Sequence, residues 1–420
     1  MDIQDSLNRL FALHTFGIKL GLDNIKAFLS VIGNPQKKLK TIHVAGSNGK
    51  GSTASFIASI LMESGYRTGL YTSPHFVKFN ERISIDGKLI PDDFIANFVD
   101  RNQQKIDEHH LTFFEVTTAM AFKYFVFMNV DYAVIETGLG GRLDATNVLD
   151  PLACVITSIS LEHTNVLGEK LEQIAYEKSE IIKKGSKVFV GLIPEEAIKV
   201  VEQKTESVKS ELYCLEEYIV AKNDNLQLYT EEIEFDEWEV PLIGKHQKYN
   251  AALAALCIAK TFNIDDPSII TNGIKNVIKN TKLQGRYEIV LNKPRIILDS
   301  AHNPEGIQSL ADEFKNEKNK YQRSVILFSV MKDKNIKQML ITLKDLFDEI
   351  YLYELSYERS ADKDTLKSIA DSLSINYSFV QDLDEFLKQF INGSEKDCLV
   401  VAGSMYLLGD VKPILSKLIS

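Results

Sequence analysis

The sequence has few cysteines and no long apolar run. Its four cysteines are scattered at Cys154, Cys214, Cys257 and Cys398, which excludes a disulfide framework and a closely spaced zinc cluster and is typical of a reducing compartment. No stretch approaches the roughly 18 consecutive apolar residues of a membrane span. The first residues, MDIQDSLNRLF, lack the apolar core of a signal peptide. We therefore expect a cytoplasmic protein that does not associate with membranes.

Basic residues are in the minority as well. Lys and Arg number 48 against 58 Asp and Glu, a formal net charge of −10, which argues against a nucleic-acid partner. Hydrophobic residues make up 45% and charged residues 25% of the chain, as in ordinary globular proteins. A length of 420 residues allows two or three domains with sizeable cores.

Apolar runs alternate with helical patterns in the first part of the chain. This alternation predicts an α/β fold with a mostly parallel sheet. The predicted strands are 41–45, 68–72, 131–136, 153–159 and 187–191. The predicted helices are 53–64, 92–108, 113–128, 169–183 and 246–260. Residues 211–243 alternate between apolar and polar without a helical period, which predicts a small antiparallel patch.

A second α/β series begins near residue 287. Its predicted strands are 295–299, 323–329, 349–354 and 397–402. Its predicted helices are 304–316, 334–346, 362–373 and 405–418. The polar segment NTKLQGR, residues 280–286, has the composition of a linker. We therefore predict an N-terminal domain over 1–283 and a C-terminal, Rossmann-like α/β domain over 284–420.

The segment TIHVAGSNGKGSTASFIASIL, residues 41–61, predicts a phosphate loop between a strand and a helix. It departs from the strict pattern G-x-x-x-x-G-K-[ST], because Val44 and Gly51 occupy two of the fixed positions. Three glycines nevertheless let the backbone approach a ligand, and the helix N-terminus attracts anions. The first domain is therefore predicted to be of the P-loop ATPase type. Lys50 adds a positive charge at this point, and Ser52 could bind phosphate or cap the helix.

Polar residues follow three more strands of the first series. Ser73 follows the second strand, Glu136 ends the strand before the loop TGLGGRLDATN, and His163 lies in the loop after the next strand. Ligands bind at the carboxyl ends of parallel strands. A carboxylate at such an end beside a phosphate loop suits Mg²⁺. For Ser73 a plain turn is an equal alternative, and a lone histidine is more often not a ligand.

Two further positions carry chemistry. Lys178 lies on a predicted helix among Ile174, Ile181 and Ile182, and the simplest interpretation is a lysine whose stem covers apolar surface while its ammonium reaches water. In the second domain the segment DSAHNP, residues 299–304, clusters polar side chains at a strand end. Such a dense set favours a functional site over a chance polar loop.

Together these motifs resemble the family of folylpolyglutamate synthase and dihydrofolate synthase, within the Mur ligase superfamily. The phosphate loop of that superfamily has the spacing G-x-N-G-K-G-S, which accounts for the departure from the strict pattern. The matching segments occur in the family's order along nearly the whole chain. They are FGIKLGLDNI, TIHVAGSNGKGS, TSPHFVKFNERI, FFEVTTAMAF, ETGLGGRLDATN, LEHTNVLG, EKSEIIK, GKHQKYNAALA, GRYE, DSAHNP and GSMYLLGDV.

The resemblance implies an ATP-dependent ligase. ATP would phosphorylate the carboxylate of a folate glutamyl tail or of dihydropteroate, and the amine of L-glutamate would displace the phosphate. Two Mg²⁺ ions and a monomer are expected.

The resemblance also implies roles for individual residues. ATP contacts are expected at Gly49, Lys50, Gly51, Ser52, Asn250, Arg286 and Asp299. Expected Mg²⁺ ligands are Ser73, Glu136, His163 and a carbamylated Lys178. Catalytic roles fall to Lys178, His302 and Asp144, and substrate contacts to Arg82, Thr112 and Phe114. A phenylalanine before an apolar helix, such as Phe114, is more often part of the core.

The chain departs from the family's pattern at two places. Leu283 and Gln284 stand where the family often has Trp-Pro, and Glu162 stands where it usually has Asp before the metal-site histidine. The first change alters the stiffness expected of the linker, since proline fixes φ. The second alters the surroundings of the metal site.

Two other functions are open at this stage. A Mur ligase of peptidoglycan precursors would carry a nucleotide-sugar domain before the phosphate loop, whereas 45 residues precede Gly46, too few for a typical domain. A regulatory P-loop protein would not need Glu136, His163, Lys178 and Asp299 together. The ligase of the folate branch is therefore the favoured hypothesis.

Overall fold

The computed structural model describes residues 3–13, 21–222, 225–230, 234–235, 238–262, 264 and 266–419. Residues 16–20 of the motif FGIKLGLDNI lie outside this part of the chain, as do residues within the predicted antiparallel patch. The chain forms two compact units. The first comprises Met1–Pro74, Asn80–Pro241 and Gln247–Leu283, and the second His75–Phe79, Leu242–His246 and Gln284–Ser420.

The helices in the first part of the chain are α1 (Ile3–Ala12), α2 (Asp23–Val31), α3 (Lys50–Glu63), α4 (Asp92–Glu108), α5 (Phe113–Phe127), α6 (Thr164–Leu167), α7 (Leu171–Ser179), α8 (Glu195–Val208), α9 (Lys245–Thr261), α10 (Pro267–Lys275) and α11 (Val277–Thr281). The strands are β1 (Thr41–Ala45), β2 (Thr68–Tyr71), β3 (Ile83–Ile85), β4 (Lys88–Leu89), β5 (Tyr132–Glu136), β6 (Ala153–Ile156), β7 (Lys187–Val190), β8 (Glu211–Cys214), β9 (Ile219–Lys222), β10 (Asn225–Tyr229) and β11 (Glu234–Phe235). Among the described residues, no helix is both long and apolar enough to cross a membrane.

The main sheet of the first unit has the order β4-β3-β2-β5-β1-β6-β7-β8. Strands β2, β5, β1, β6, β7 and β8 run parallel, and β3 and β4 pair antiparallel at one edge. Every residue of β1 is buried, because β1 lies in the middle of the sheet. The parallel direction brings the loops after β1, β2, β5 and β6 to one edge, where ligands are expected.

The antiparallel patch is smaller than the sequence predicted. Strands β9, β10 and β11 form the antiparallel sheet, but β8 pairs in parallel with β7, with Val190 opposite Cys214. The prediction was therefore wrong for residues 211–214. An edge strand that is partly exposed alternates in polarity whichever way its neighbour runs, so its sequence does not reveal its direction.

The second unit continues with α12 (Pro304–Lys315), α13 (Ile336–Leu343), α14 (Lys363–Ser372), α15 (Leu383–Ile391) and α16 (Met405–Ile419). Its strands are β12 (Glu288–Asn292), β13 (Arg295–Leu298), β14 (Arg323–Phe328), β15 (Glu349–Leu352), β16 (Tyr377–Phe379) and β17 (Asp397–Ala402). The sheet order is β12-β13-β17-β14-β15-β16, with β12 antiparallel and the other pairs parallel.

Both faces of this second sheet are covered by helices. Ile297 and Val400 join the core that contains residues of α12, α13 and α14. Their neighbours Leu298 and Leu399 join a separate core with residues of α15 and α16. Side chains alternate between the faces of a strand, so continuously apolar strands supply both cores. The predicted Rossmann-like α/β architecture is confirmed.

The segment His75–Phe79 packs within the second unit. The Phe76 ring lies where a Cβ on Gly285 would be, at 2.5 Å, and its carbonyl oxygen excludes a Cβ on Gly409 at the same distance. The ammonium of Lys412 lies 5.5 Å from the centre of the Phe76 ring. Two glycines and a cation therefore pack closely around one aromatic residue, Phe76.

Helix α3, which follows the phosphate loop, is buried nearly all round. Helix α10 packs against it so closely that a Cβ on Gly273 would lie 2.5 Å from Cα of Ile60. The hydroxyl of Ser59 donates a hydrogen bond to the Gly273 carbonyl at 2.5 Å. The position of α3 therefore depends on a residue without a side chain.

We predict that Gly273→Ala destabilises the first unit by about 1–3 kcal/mol, because the added methyl forces two helices apart. Asn272→Ala, an exposed change on the same helix, is the matched control and should be nearly neutral. Urea unfolding measures both. Equal midpoints for the two variants would show that the helix contact is looser than described here.

Candidate active site

The turn between β1 and α3 has the form of a phosphate loop. Gly49 has φ +83°, a conformation that favours glycine, and it directly precedes the first residue of α3. A Cβ on Gly49 would lie 2.5 Å from Oδ1 of Asn250, and one on Gly46 would overlap the Thr157 side chain. The loop is therefore enclosed by neighbours, and Asn250, an expected ATP contact, lies beside it.

Hydrogen bonds attach the phosphate loop to the segment after β6. The Thr157 hydroxyl donates to the Asn48 carbonyl at 2.6 Å, and the Asn48 amide donates to the Ser158 hydroxyl oxygen at 2.8 Å. The Ser47 amide donates to the Ser158 carbonyl at 2.8 Å, and the Ser160 amide donates to the Ser47 hydroxyl at 3.0 Å. This segment shapes the loop, and the sequence analysis did not single it out.

Lys50 and Ser52 stand at the start of α3. The Lys50 ammonium donates to the carbonyls of Gly46 at 2.8 Å and Ser47 at 3.1 Å. The buried hydroxyl of Ser52 has no hydrogen-bond partner in the part of the chain that the structure describes. A cation, a hydroxyl that lacks a partner and a helix N-terminus at one point suit the oxygens of a phosphate.

Two of the predicted metal ligands are adjacent. The Ser73 amide donates to Oε2 of Glu136 at 3.0 Å, and Glu136 is 4% exposed at the end of β5. His163 precedes α6 with φ +46°. Within the described ranges no group of three or more His, Cys, Asp and Glu side chains is placed to hold a metal ion. A divalent ion here would therefore depend on mixed donors, with hydroxyl and phosphate oxygens among them.

Lys178 does not reach water. Its side chain is 1% exposed, and its ammonium donates to Oε1 of Glu162 at 2.7 Å and to the carbonyl of Gly46 at 2.9 Å. The interpretation of a lysine with a solvated head was therefore wrong. On helix α7, Ile174 and Ala175 pack in a core shared with β6 and β7. Lys178 lies on the same buried side of the helix, one turn further on.

Burial and charge shift the pKa values of the Lys178–Glu162 pair. Burial lowers the pKa of Lys178, while Glu162 counteracts the shift. Burial alone would raise the pKa of Glu162, but Lys178 and Lys50 bring it down to about 2. Glu162, noted above as a departure from the family pattern, is therefore an ionised partner of the buried lysine. Its position next to His163 drew attention to Glu162 in the sequence, but nothing there indicated its ion pair with Lys178.

Asp144 organises the loop that follows β5. Its Oδ2 accepts hydrogen bonds from the amides of Gly138 at 2.9 Å and Leu139 at 2.8 Å. Its Oδ1 accepts from the amide of Thr146 at 3.0 Å and from the Thr146 hydroxyl at 2.5 Å. Both oxygens are engaged with the protein itself, which suits a residue that shapes the loop better than one that transfers protons.

His43 extends this network into the sheet. Its Nε2 lies 2.8 Å from the Thr146 hydroxyl oxygen, across 103 positions of sequence. Burial and then the charge of Lys183 lower the pKa of His43 from 6.5 to about 3, so the imidazole is neutral at physiological pH. Sequence reasoning missed His43, because a histidine inside a strand pattern gives no sign of its distant partner.

The proposed substrate residues lie near the same loop. Phe114 packs on it, since a Cβ on Gly138 would lie 2.5 Å from the Phe114 ring. Thr112 caps α5 in a reciprocal arrangement with Glu115, which occupies its hydroxyl. Arg82 is 6% exposed, and its guanidinium lies 5.0 Å from the centre of the Phe113 ring.

The second unit gathers its own polar cluster after β13. Asp299 accepts from the amides of Tyr287 and Ala301, both at 2.7 Å. The Arg286 guanidinium donates to the Gly285 carbonyl at 3.1 Å and to the Ser300 hydroxyl. Nδ1 of His302 lies 2.9 Å from the Ser300 carbonyl oxygen. Burial raises the pKa of Asp299, and the nearby Arg286 and His246 counteract it.

Family models match both halves of the chain. The Mur ligase middle domain matches residues 44–259, and the Mur ligase glutamate ligase domain matches residues 285–405. Fold and site thus define an ATP-dependent ligase of the Mur type.

Individual relatives narrow the class. The Bacillus subtilis dihydrofolate synthase/folylpolyglutamate synthase is 35% identical, over 97% of this chain and 98% of the relative. The Escherichia coli FolC structure in complex with DHPP and ADP has a TM-score of 0.87 at 29% identity, covering 100% of this chain and 99% of its own. A bifunctional folylpolyglutamate synthase/dihydrofolate synthase with Mn, AMPPNP and L-glutamate bound has a TM-score of 0.87 at 27% identity, covering 99% of this chain and 98% of its own. The chain belongs to the folylpolyglutamate synthase/dihydrofolate synthase family.

We predict that Ser158→Ala weakens ATP binding about tenfold, because the variant loses the two hydrogen bonds between the Ser158 hydroxyl and the backbone of Asn48. The control is Ser207→Ala, a change on α8 where the hydroxyl bonds only locally, to the Lys204 carbonyl. Calorimetric titration with ATP measures both variants. Unaltered affinity in Ser158→Ala would mean that the segment after β6 does not shape the phosphate loop.

His43 predicts a component of acid sensitivity. Its folded-state pKa of about 3 is below the ordinary 6.5, so its contribution to stability is complete above pH 6.5 and is lost as the pH falls toward 3. Between pH 7 and pH 5 the loss should be about 2 kcal/mol. His43→Gln lacks the titrating group and should show a correspondingly flatter pH dependence in urea unfolding. Identical pH dependence in both proteins would contradict the buried neutral state.

Proposed function

We propose that this protein joins L-glutamate to the carboxylate of a pteroyl substrate at the expense of ATP. The acceptor is the glutamyl tail of a folate, or dihydropteroate. The observation that carries the proposal is the enclosed phosphate loop with the buried Lys178 and Glu136 at the same sheet edge, in a chain of this family. The E. coli relative was seen with DHPP and ADP, and another folylpolyglutamate synthase/dihydrofolate synthase with Mn, AMPPNP and L-glutamate.

The chemistry requires an activated carboxylate, because a carboxylate is a poor electrophile. An oxygen of the pteroyl carboxylate attacks the γ-phosphorus of ATP, and ADP departs. The amine of glutamate then attacks the acyl carbon, the C–O bond to phosphate breaks, and the amine loses a proton as the amide forms. Two anions must approach each other in the first step, so the cation of Lys50 beside the loop lowers the electrostatic cost.

Divalent ions fit this donor set. Ser73, Glu136, His163 and a carbamylated Lys178 would hold Mg²⁺, which would neutralise phosphate charge when bound. The Ser52 hydroxyl, which lacks a partner among the described residues, supplies a further oxygen. We assign ATP contacts to the residues predicted from the resemblance, namely Gly49, Lys50, Gly51, Ser52, Asn250, Arg286 and Asp299. We assign contacts with the reacting groups to His302, and substrate contacts to Arg82 and Phe114.

Ligation of peptidoglycan precursors is the less favoured alternative. The relatives that match nearly the whole chain are folylpolyglutamate and dihydrofolate synthases. A cytoplasmic location and a monomeric state stay predictions.

The function is tested by incubating the protein with ATP, Mg²⁺ and glutamate together with dihydropteroate or tetrahydrofolate. We expect a product heavier by one glutamyl residue, with ADP and phosphate in equal amounts. Lys50→Ala should stay folded and lose nearly all activity, with only a small fall in melting temperature from the loss of its hydrogen bonds to the carbonyls of Gly46 and Ser47. Product from neither acceptor, or full activity in Lys50→Ala, would refute the assignment.

Lys178 provides a second test. The Lys178 nitrogen lies 2.7 Å from Oε1 of Glu162, and we propose that CO₂ converts the amine to a carbamate in the active enzyme. The conversion changes the charge from +1 to −1 and gives oxygen ligands of the kind Mg²⁺ prefers. Burial favours the neutral amine that must react. Lys178→Ala should be nearly inactive, with partial rescue by acetate or formate.

Carbon-13 NMR with labelled bicarbonate and Mg²⁺ detects the modification directly. A carbamate resonance present in the wild type and absent from Lys178→Ala is expected, with Lys183→Ala as the control for another partly buried lysine. No such resonance, combined with near-normal activity of Lys178→Ala, would reject the carbamate.

A further inference from the structure

A chain of buried polar side chains runs from the middle of the sheet to the loop after β5. It begins at His43 on β1, passes through Thr146, and ends at Asp144, with heavy-atom distances of 2.8 Å and 2.5 Å. All three residues are buried. Asp144 in turn holds the amides of Gly138 and Leu139. These hydrogen bonds therefore connect the strand that leads into the phosphate loop with the loop that follows Glu136.

The donors fix the direction of these hydrogen bonds. The backbone amides around Asp144 can only donate, so the carboxylate acts as an acceptor. The Thr146 hydroxyl has one proton, which it donates to Oδ1 of Asp144. The hydroxyl oxygen must then accept from His43, and Nε2 of His43 carries the hydrogen. The neutral ring thus has one defined tautomer.

That tautomer leaves Nδ1 of His43 as an acceptor. No hydrogen-bond partner for it exists in the described part of the chain. A buried acceptor without a partner is unfavourable. The neighbouring strand positions hold the apolar residues Ile42 and Val44, so the histidine stands out. A valine or isoleucine at position 43 would suit a central parallel strand better. A residue that costs stability in the core indicates a role in function.

We propose that His43 is a positioning residue for the ligase reaction: through Thr146 it fixes Asp144 and so sets the shape of the loop that receives the pteroyl substrate. The inference rests on the proposed function for the identity of that substrate. The Nε2 hydrogen holds the Thr146 hydroxyl in the rotamer that donates to Asp144. Without it the hydroxyl rotates, Asp144 loses a donor, and the amides of Gly138 and Leu139 lose their fixed acceptor.

Three variants test this relay, the hydrogen bonds from His43 through Thr146 to Asp144. His43→Leu is similar in volume and lacks the donor, Thr146→Val keeps the shape and lacks the hydroxyl, and His43→Gln restores an N–H donor. The first readout needs no substrate: amide hydrogen exchange of Gly138 and Leu139 should accelerate about tenfold in His43→Leu and Thr146→Val. It should stay near the wild-type rate in His43→Gln. Unchanged exchange in Thr146→Val overturns the relay, even if His43→Leu fails to fold.

The second readout separates substrate positioning from general damage. In His43→Leu and Thr146→Val the KM for the pteroyl substrate should rise about tenfold, the effect of one lost hydrogen bond, with the KM for ATP within about twofold. The double variant should be no worse than either single variant, since both break the same chain. His43→Gln should recover most of the wild-type KM.

The possible failures are distinguishable. Equal rises in both KM values, or additive effects in the double variant, would overturn the positioning role. Absence of ligase activity in the wild type with every pteroyl acceptor would defeat the proposed function, while the exchange result would still decide the relay.

Discussion

In the unmodified protein, the buried ammonium of Lys178 makes the interaction on which the first unit's active edge depends. It binds Glu162 from the loop after β6 and the carbonyl of Gly46 at the start of the phosphate loop, so one charge joins three segments. Removing either ionic partner would leave a buried charge without compensation, which is far costlier than losing a surface pair. Hydrogen bonds that join Ser47 and Asn48 to the loop after β6 also hold the phosphate loop in place. The arrangement is thus shaped before any phosphate arrives.

The alternation of strands and helices was predictable because central parallel strands are continuously apolar. Most strand and helix positions in both series agreed to within a few residues. The prediction missed several short or peripheral elements, namely helices α1, α2, α6, α8, α10, α11 and α15 and strands β3, β4, β12 and β16. It also placed β8 in the wrong sheet. The direction of an edge strand depends on a neighbour that the local sequence does not encode.

The place of a candidate residue in the fold was predictable wherever its motif lies at a strand end. Gly49, Lys50, Glu136 and Ser73 lie in or beside loops that the parallel sheet brings to one edge. The partners of these residues were not predictable, since His43 and Thr146 are 103 positions apart in the chain. Polar residues that looked ready for substrate also proved to be engaged with the protein, as the Thr112 cap shows. Short polar side chains bond to nearby backbone whenever they can.

The packing of Phe76 has a consequence for how this protein can be cut into fragments. The second unit is built from three pieces of chain, with His75–Phe79 and Leu242–His246 supplied from well before residue 284. A fragment that starts at the linker would lack the Phe76 ring that fills the space at Gly285 and the Phe76 backbone that lies against Gly409, leaving apolar surface around Leu408 open to water. A single cut near residue 284 would therefore separate His75–Phe79 and Leu242–His246 from the rest of the compact unit in which they pack.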